Sequence, residues 1–307
     1  MRTGSVARTT TSSSRSTVTL PDLDWEPASG PVAVVLPGGQ RVTLMVVPLA
    51  HVRRAWPARP DGLISRVLTP AELAVSGMHV VLARRVAHLA GRIAAKLALC
   101  AHLDAQGHGV SPQDVGLTQM LAGPEQGRPV AQLPPGVPAC DVSITHSREL
   151  AMAVVTSHGR VGLDLERVVP RGAAFQDEVF IRDERVWLEA RARLWQRSPD
   201  ELWNLGWCLK EALVKCTGQG LRAALQQVTF SGWREAEVEE LRLAPLTGGA
   251  DALVRSIHLD VPGRREQAVS GVLVAGQGYA LAVLHDTRED WRRVGQGWRL
   301  APGAAST

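Results

Sequence analysis

The apolar residues of this chain change their repeat in a set order, and that order limits the fold more than any single motif. Strand-like runs at Pro31–Leu36 and Arg41–Val47 flank Pro37-Gly38-Gly39-Gln40 and read as a β-hairpin. A helical pattern opens at Thr69-Pro70-Ala71-Glu72, with Thr as N-cap and Pro at the first helical position, and runs on toward Cys100. After a loop-rich stretch over 107–140 come three strand-like runs, 141–145, 151–156 and 160–165; Ser157-His158-Gly159 between the last two is a hairpin signal. Helical patterns return over 175–194 and from Ser198-Pro199-Asp200-Glu201 to Gly218. The remaining runs, 228–233, 237–243, 252–259 and a pair around Gly276-Gln277-Gly278, read as antiparallel strands. This is an α+β order, because a parallel sheet requires strict alternation of strand and helix. A helix precedes a group of strands twice, and two similar α+β halves meeting near residue 160 are one way to arrange that. The halves are then 25–160 and 161–285, with a disordered Ser/Thr/Arg-rich tail before them (1–24) and a loose tail after them (286–307).

A chain of 307 residues can bury a sizeable core. Its net charge of +4 and pI of 9.2 come from arginines spread along the sequence, which suits an acidic partner or a phosphorylated ligand. Nothing resembles the clustered basic stripe of a nucleic-acid binder. The four cysteines form no CxxC or zinc spacing and imply reduced thiols in the cytoplasm. No uninterrupted apolar run approaches the roughly 18 to 20 residues that span a bilayer, so no membrane association is expected.

Within residues 204–216, Leu205, Leu209, Ala212 and Cys216 make an apolar stripe, while Asn204, Cys208, Glu211 and Lys215 fall together on its flank. An isolated Glu-Lys pair at this spacing contributes only about 0.2 to 0.5 kcal/mol and is usually a solvated ornament. Composition raises its interest. Of 34 basic residues only Lys96, Lys210 and Lys215 are lysines, and two of these share one helix, where a compact ammonium rather than a planar guanidinium is required. A second odd stretch is Val161-Gly162-Leu163-Asp164-Leu165-Glu166, whose two carboxylates alternate with leucines and so share one face. The ordinary reading is a solvent face. Like charges about 7 Å apart nevertheless repel unless a cation lies between them, and magnesium accepts one or two carboxylates together with phosphates and water. Arg84, Arg85, Arg92 and Lys96 each read singly as solvated helix residues, and together can reach a phosphate. His146 ends a strand, where side chains commonly reach a cleft.

These two stretches resemble the paired signatures of 4'-phosphopantetheinyl transferases of the two-half type that activates peptide and polyketide synthases. Asp141-Val142-Ser143-Ile144-Thr145-His146-Ser147 is similar to the family's strand ending in Ser-His-Ser, and Gly127-Arg128-Pro129 to its Gly-Lys-Pro turn. The resemblance covers about residues 41 to 285 and implies two halves related by pseudo-twofold symmetry. It implies an enzyme that moves the phosphopantetheine arm of coenzyme A onto a serine of an acidic acyl or peptidyl carrier protein, acting as a monomer. Asp164, Glu166 and Glu211 are then the magnesium ligands. Glu211, Lys215 and His146 carry the catalysis, Glu211 as base for the serine. Arg128, Thr145, His146, Lys210, Lys215, Arg85, Arg92 and Lys96 are the candidates for holding coenzyme A. Phe175, Phe180 or Trp187 could receive a carrier helix. Two other readings stay open at this level: a different magnesium-dependent enzyme acting on a nucleotide or diphosphate, and a non-catalytic basic binding protein.

Overall fold

The computed structural model describes residues 30–59, 62–123, 125–218, 225–236, 243–248, 251–262, 269–287, 291–294 and 297–300. The expected N-terminal tail and most of the run at 237–243 lie outside the described residues.

The first half contains β1 (Val32–Val35), β2 (Arg41–Pro48), α1 (Leu49–Ala55), α2 (Leu63–Val67), α3 (Pro70–Gly77), α4 (Leu82–Asp104), β3 (Gly116–Gln119), β4 (Pro129–Gln132), β5 (Asp141–Ser147) and β6 (Leu150–Thr156). The second contains β7 (Arg160–Arg167), α5 (Ala173–Val179), α6 (Arg182–Leu194), α7 (Pro199–Thr217), β8 (Gly232–Ala236), α8 (Ala244–Thr247), β9 (Leu253–Asp260), β10 (Val269–Gly276) and β11 (Tyr279–Asp286). The sheets run β1-β2-β6-β5 and β7-β11-β10-β9-β8, antiparallel throughout. Inside both lies the same unit. A strand (β2 or β7) leads to a long helix (α4 or α7), then to a hairpin (β5–β6 or β10–β11) whose last strand inserts beside the first. The expected α+β repeat is therefore present.

Alternation along the strands builds the layers. Val42, Leu44 and Val46 of β2 and Val161, Leu163 and Leu165 of β7 enter one cluster between the sheets, whereas Met45 and Val47 face α4. Each long helix covers the outer face of its own sheet, giving helix, sheet, sheet, helix. Helix α4 is long and apolar enough to cross a bilayer by length and composition, but 94% of that window is buried inside the fold.

The halves are joined along β5 and β7, which lie alongside without a backbone ladder. Val161 N–H donates to Asp141 Oδ2 (2.8 Å), Leu163 N–H to Ser143 Oγ (3.1 Å) and Arg167 N–H to Ser147 Oγ (3.0 Å). Each acceptor stands 20 residues before its donor, so the strands run parallel. Period two explains the choice of residues: Asp141, Ser143, Thr145 and Ser147 all point toward the neighbouring strand.

Several expected boundaries shift. Ser157–Gly159 is not a β6–β7 hairpin, because β2 and β5 already occupy both edges of β6; the turn carries the chain into the second sheet. Residues 148–149 make the hairpin instead, with Arg148 at φ 47°. The first helical pattern breaks into α3 and α4, and 175–194 into α5 and α6. A small hairpin, β3–β4, stands within the loop-rich stretch. The tail expected to be loose contains β12 (Trp291–Val294) paired with β13 (Gly297–Leu300).

Candidate active site

Helix α7 starts with a full capping box, Ser198 and Glu201 around Pro199, and ends at Gly218 in the left-handed region. Its stripe of Leu205, Leu209, Ala212 and Cys216 is buried in the second core. Gly162 lets the helix settle directly on β7, since a Cβ there would stand 1.9 Å from the Ala212 carbonyl oxygen. This close approach sets Glu211 and Lys215 beside the outward side chains of β7, Asp164 and Glu166.

The Lys215 ammonium donates to Asp164 Oδ1 (2.7 Å) and to the Leu163 carbonyl (2.8 Å). Thr145 reaches across the seam and donates to the same Oδ1 at 3.1 Å. Asp164 Oδ2 is buried and has no hydrogen-bond partner among the described residues, while the adjacent Cys208 thiol donates to the Ala280 carbonyl instead. Burial first, then the Asp164 charge, raises the carboxyls of both Glu166 and Glu211 above the ordinary glutamate range. Three acids thus share one field with a single ammonium between them. Among the described residues no three His, Cys, Asp or Glu side chains converge at coordination distance. What fits a hard divalent cation is the all-oxygen donor set, the mutual destabilisation of its charges and the orphaned Asp164 oxygen.

From Lys215 a trough leads into the first half. A small cavity of about 130 Å³ is lined by Glu125, Arg128, Ser143 and Lys215, and shares Gly127, Pro129 and Ile144 with a larger cleft of about 570 Å³. Arg53, Arg84, Arg92, Arg148, His79, His88 and His146 line the cleft, and among the described residues no carboxylate does. Such a surface suits a polyanion. His146 is exposed at the mouth. The protein packed on its other side and, second, the Lys215 ammonium hold its imidazole below the ordinary value, so near neutral pH it offers a single N–H. His88 is held lower still, at about 4, by burial and by Arg92, whose Nε donates to its Nε2 at 3.2 Å.

Four expected ligand contacts are used elsewhere. Lys96 is fully buried and its ammonium lies 2.7 Å from Glu72. Lys210 is equally buried, 2.7 Å from Glu184, and also donates to the Val179 and Leu225 carbonyls. These two sites repeat each other: Glu72 and Glu184 each cap the helix that precedes the long one, through Thr69 N–H (2.9 Å) and Ile181 N–H (3.0 Å). Arg85 folds back on the Gly77 and His79 carbonyls, leaving the cleft to Arg84. Arg128 spends its guanidinium on Asp141 and on the Lys215 and Val161 carbonyls, bracing the C-terminal turn of α7. Arg92 does line the cleft, with one nitrogen on the Leu117 carbonyl (2.6 Å). Sequence reasoning missed Arg53, Arg148, His79 and His88, which come from separate elements and share no spacing.

Residues 160–283, from the first residue of β7 into β11, match the sequence profile of the 4'-phosphopantetheinyl transferase superfamily. That match takes in 124 of the chain's 307 residues. Over 80 residues it is 31% identical to the 4'-phosphopantetheinyl transferase gsp of Aneurinibacillus migulanus, an alignment covering 26% of this chain and 32% of that relative. The chain thus matches about a third of the relative's length. Among solved structures it is similar to Helicobacter pylori holo-[acyl-carrier-protein] synthase in complex with coenzyme A, with TM-score 0.30, 20% identity, and coverage of 38% of this chain and 97% of that one. The matched segment holds both acid-bearing stretches, Asp164–Glu166 and Glu211–Lys215, whereas the described residues that line the basic cleft belong to the preceding half.

Proposed function

We propose that this protein transfers the 4'-phosphopantetheine arm of coenzyme A to a serine hydroxyl of an acyl or peptidyl carrier protein in the cytoplasm, releasing adenosine 3',5'-bisphosphate. The observation that carries the reading is the juxtaposition at the seam. A three-carboxylate site with one ammonium opens along a trough into an acid-free cleft of four arginines and three histidines, as a substrate with a reactive diphosphate and a phosphorylated nucleoside requires.

The serine oxygen forms a bond to the phosphorus that bears the pantetheine, and the bond from that phosphorus to the bridging oxygen breaks toward the nucleotide. Glu211 takes the serine proton; its raised carboxyl makes it a better base than a free glutamate. Lys215 and the His146 N–H stabilise charge on the diphosphate oxygens, and Thr145 keeps Asp164 aimed. Asp164, Glu166 and Glu211 would hold magnesium, which supplies neutralisation of the diphosphate charge. Arg53, Arg84, Arg92 and Arg148 hold the nucleotide end. The basic balance of the chain steers an acidic carrier toward it. Phe180 is core and Trp187 packs against Phe230 and Trp233, while half-buried Phe175 stands against Trp207 beside the acids, so a carrier helix meets Phe175.

Intact-mass measurement of an apo-carrier incubated with the protein, magnesium and coenzyme A tests the reading. A mass gain of one phosphopantetheine arm is expected, lost in Asp164→Ala and in Glu211→Ala with the fold retained. Wild-type rate in either variant refutes it, and turnover of coenzyme A by water without a carrier favours a hydrolase.

A further inference from the structure

Glu166 is the outermost of the three acids and stands on the last turn-ward residues of β7, where strand pairing alone does not fix a side chain. Its Oε1 accepts a hydrogen bond from the Trp207 indole N–H at 3.3 Å. Trp207 lies one helical turn before Glu211, on the same side of α7. The indole is itself clamped. The Arg171 guanidinium lies over the Phe175 ring at 4.4 Å and over the Trp207 ring at 5.8 Å, and the two rings are 5.3 Å apart. Arg171 is held in turn: its Nε donates to Asn204 Oδ1 (3.0 Å) and its backbone N–H to Asp200 Oδ1 (3.1 Å). Asn204 is fully buried and anchored by its amide to the Val169 and Asp200 carbonyls at 2.7 and 2.8 Å. The segment that leaves Glu166 therefore doubles back over α7 and locks the ring that holds Glu166.

We propose that Arg171 and Trp207 are positioning residues for divalent-cation binding, fixing the Glu166 carboxylate through the chain Asn204, Arg171, Trp207, Glu166. The proposal rests on the reading of Glu166 as a metal ligand. The indole N–H occupies one carboxylate oxygen and leaves the other free, and Arg171 keeps the indole plane from rotating away by stacking, a geometry a lysine does not reproduce.

The test uses the full-length protein and Mn²⁺ as probe, with free ion counted by electron paramagnetic resonance, alongside melting temperatures. Trp207→Phe keeps a ring and removes the N–H; Arg171→Met keeps length and removes charge and plane. Each is expected to weaken Mn²⁺ binding about tenfold, within the 10- to 100-fold usual for outer partners of metal ligands, while melting within a few degrees of wild type. The double variant should be little worse than either single one, because both act through the same carboxylate. Arg171→Lys should recover only part of the loss. Glu166→Gln is the reference. If it leaves Mn²⁺ binding unchanged, the ligand assignment itself fails; if it abolishes binding while Trp207→Phe and Arg171→Met bind as wild type, the positioning role alone is overturned. A variant that loses Mn²⁺ only in step with a fall in melting temperature assigns the cluster to packing and likewise overturns it.

Discussion

Replacing Lys210 by methionine separates the two roles this residue could have, because they predict opposite observables. In the structure its ammonium has no solvent exposure and three oxygens: Glu184 at 2.7 Å, Val179 O at 2.8 Å and Leu225 O at 3.0 Å, with the second Glu184 oxygen turned to the Phe230 N–H (3.1 Å). Methionine fills the space but leaves a buried carboxylate without its cation and takes a donor from two carbonyls, of which Leu225 keeps the Val228 N–H at 3.1 Å. Breaking a buried pair from one side costs about 3 to 5 kcal/mol. Lys96→Met should cost less, about 1 to 3 kcal/mol, because both glutamates keep two backbone N–H groups but Glu72 alone has a second cation, Arg92 at 3.6 Å. Urea unfolding followed by tryptophan fluorescence measures both. Pairing Lys210→Met with Glu184→Leu should recover much of the loss, since a buried pair replaced whole by apolar groups is often neutral. The Michaelis constant for coenzyme A, taken where the variant is folded, should stay within twofold of wild type. A loss of stability under about 1 kcal/mol together with a tenfold rise in that constant would return Lys210 to the ligand site and refute the reasoning.

Three further outcomes follow from the same geometry. Lys215→Arg should lower kcat/KM for carrier modification about tenfold or more, because the fork cannot sit 2.7 Å from Asp164 and 2.8 Å from the Leu163 carbonyl as a point charge does; steady-state kinetics within twofold of wild type contradict this. Gly162→Ala should destabilise the fold by about 3 kcal/mol, since the new methyl meets helix backbone that cannot yield, and denaturant titration reads it. For Glu211, burial and Asp164 put the folded carboxyl above 4.5, so folding takes up a proton and the metal-free protein loses stability as pH rises through that raised value. Glu211→Gln removes this dependence: it should melt above wild type at about pH 8, with the gap closing near pH 4, and calorimetry showing the reverse order disproves the coupling.

The placing of the acids was legible in the sequence because it depends on local periods. Alternation placed Asp164 and Glu166 on one face of β7, helical spacing placed Glu211 and Lys215 on one flank of α7, and both predictions survive in three dimensions. The count of three lysines was informative in a different way from the one expected. Every lysine does meet a carboxylate, but only Lys215 meets it at the trough; Lys96 and Lys210 occupy matching positions in the two halves and close matching buried pairs. No spacing rule distinguishes a lysine that reaches a ligand from one that neutralises a helix-capping glutamate, since the partner comes from another helix. The repeat also explains why the chemistry lies in one half. The residue after Lys210 is Glu211, whereas the residue after Lys96 is Leu97, 1% exposed in the first core, and β2 carries no carboxylate anywhere from Arg41 to Pro48. The first half has kept the architecture of the second without its acids and presents arginine and histidine to the cleft instead. On the proposed function, an anionic ligand spanning the seam meets arginine and histidine in the cleft at one end and the three acids with Lys215 at the other, so the division of labour between two similar halves sets the direction in which the substrate lies.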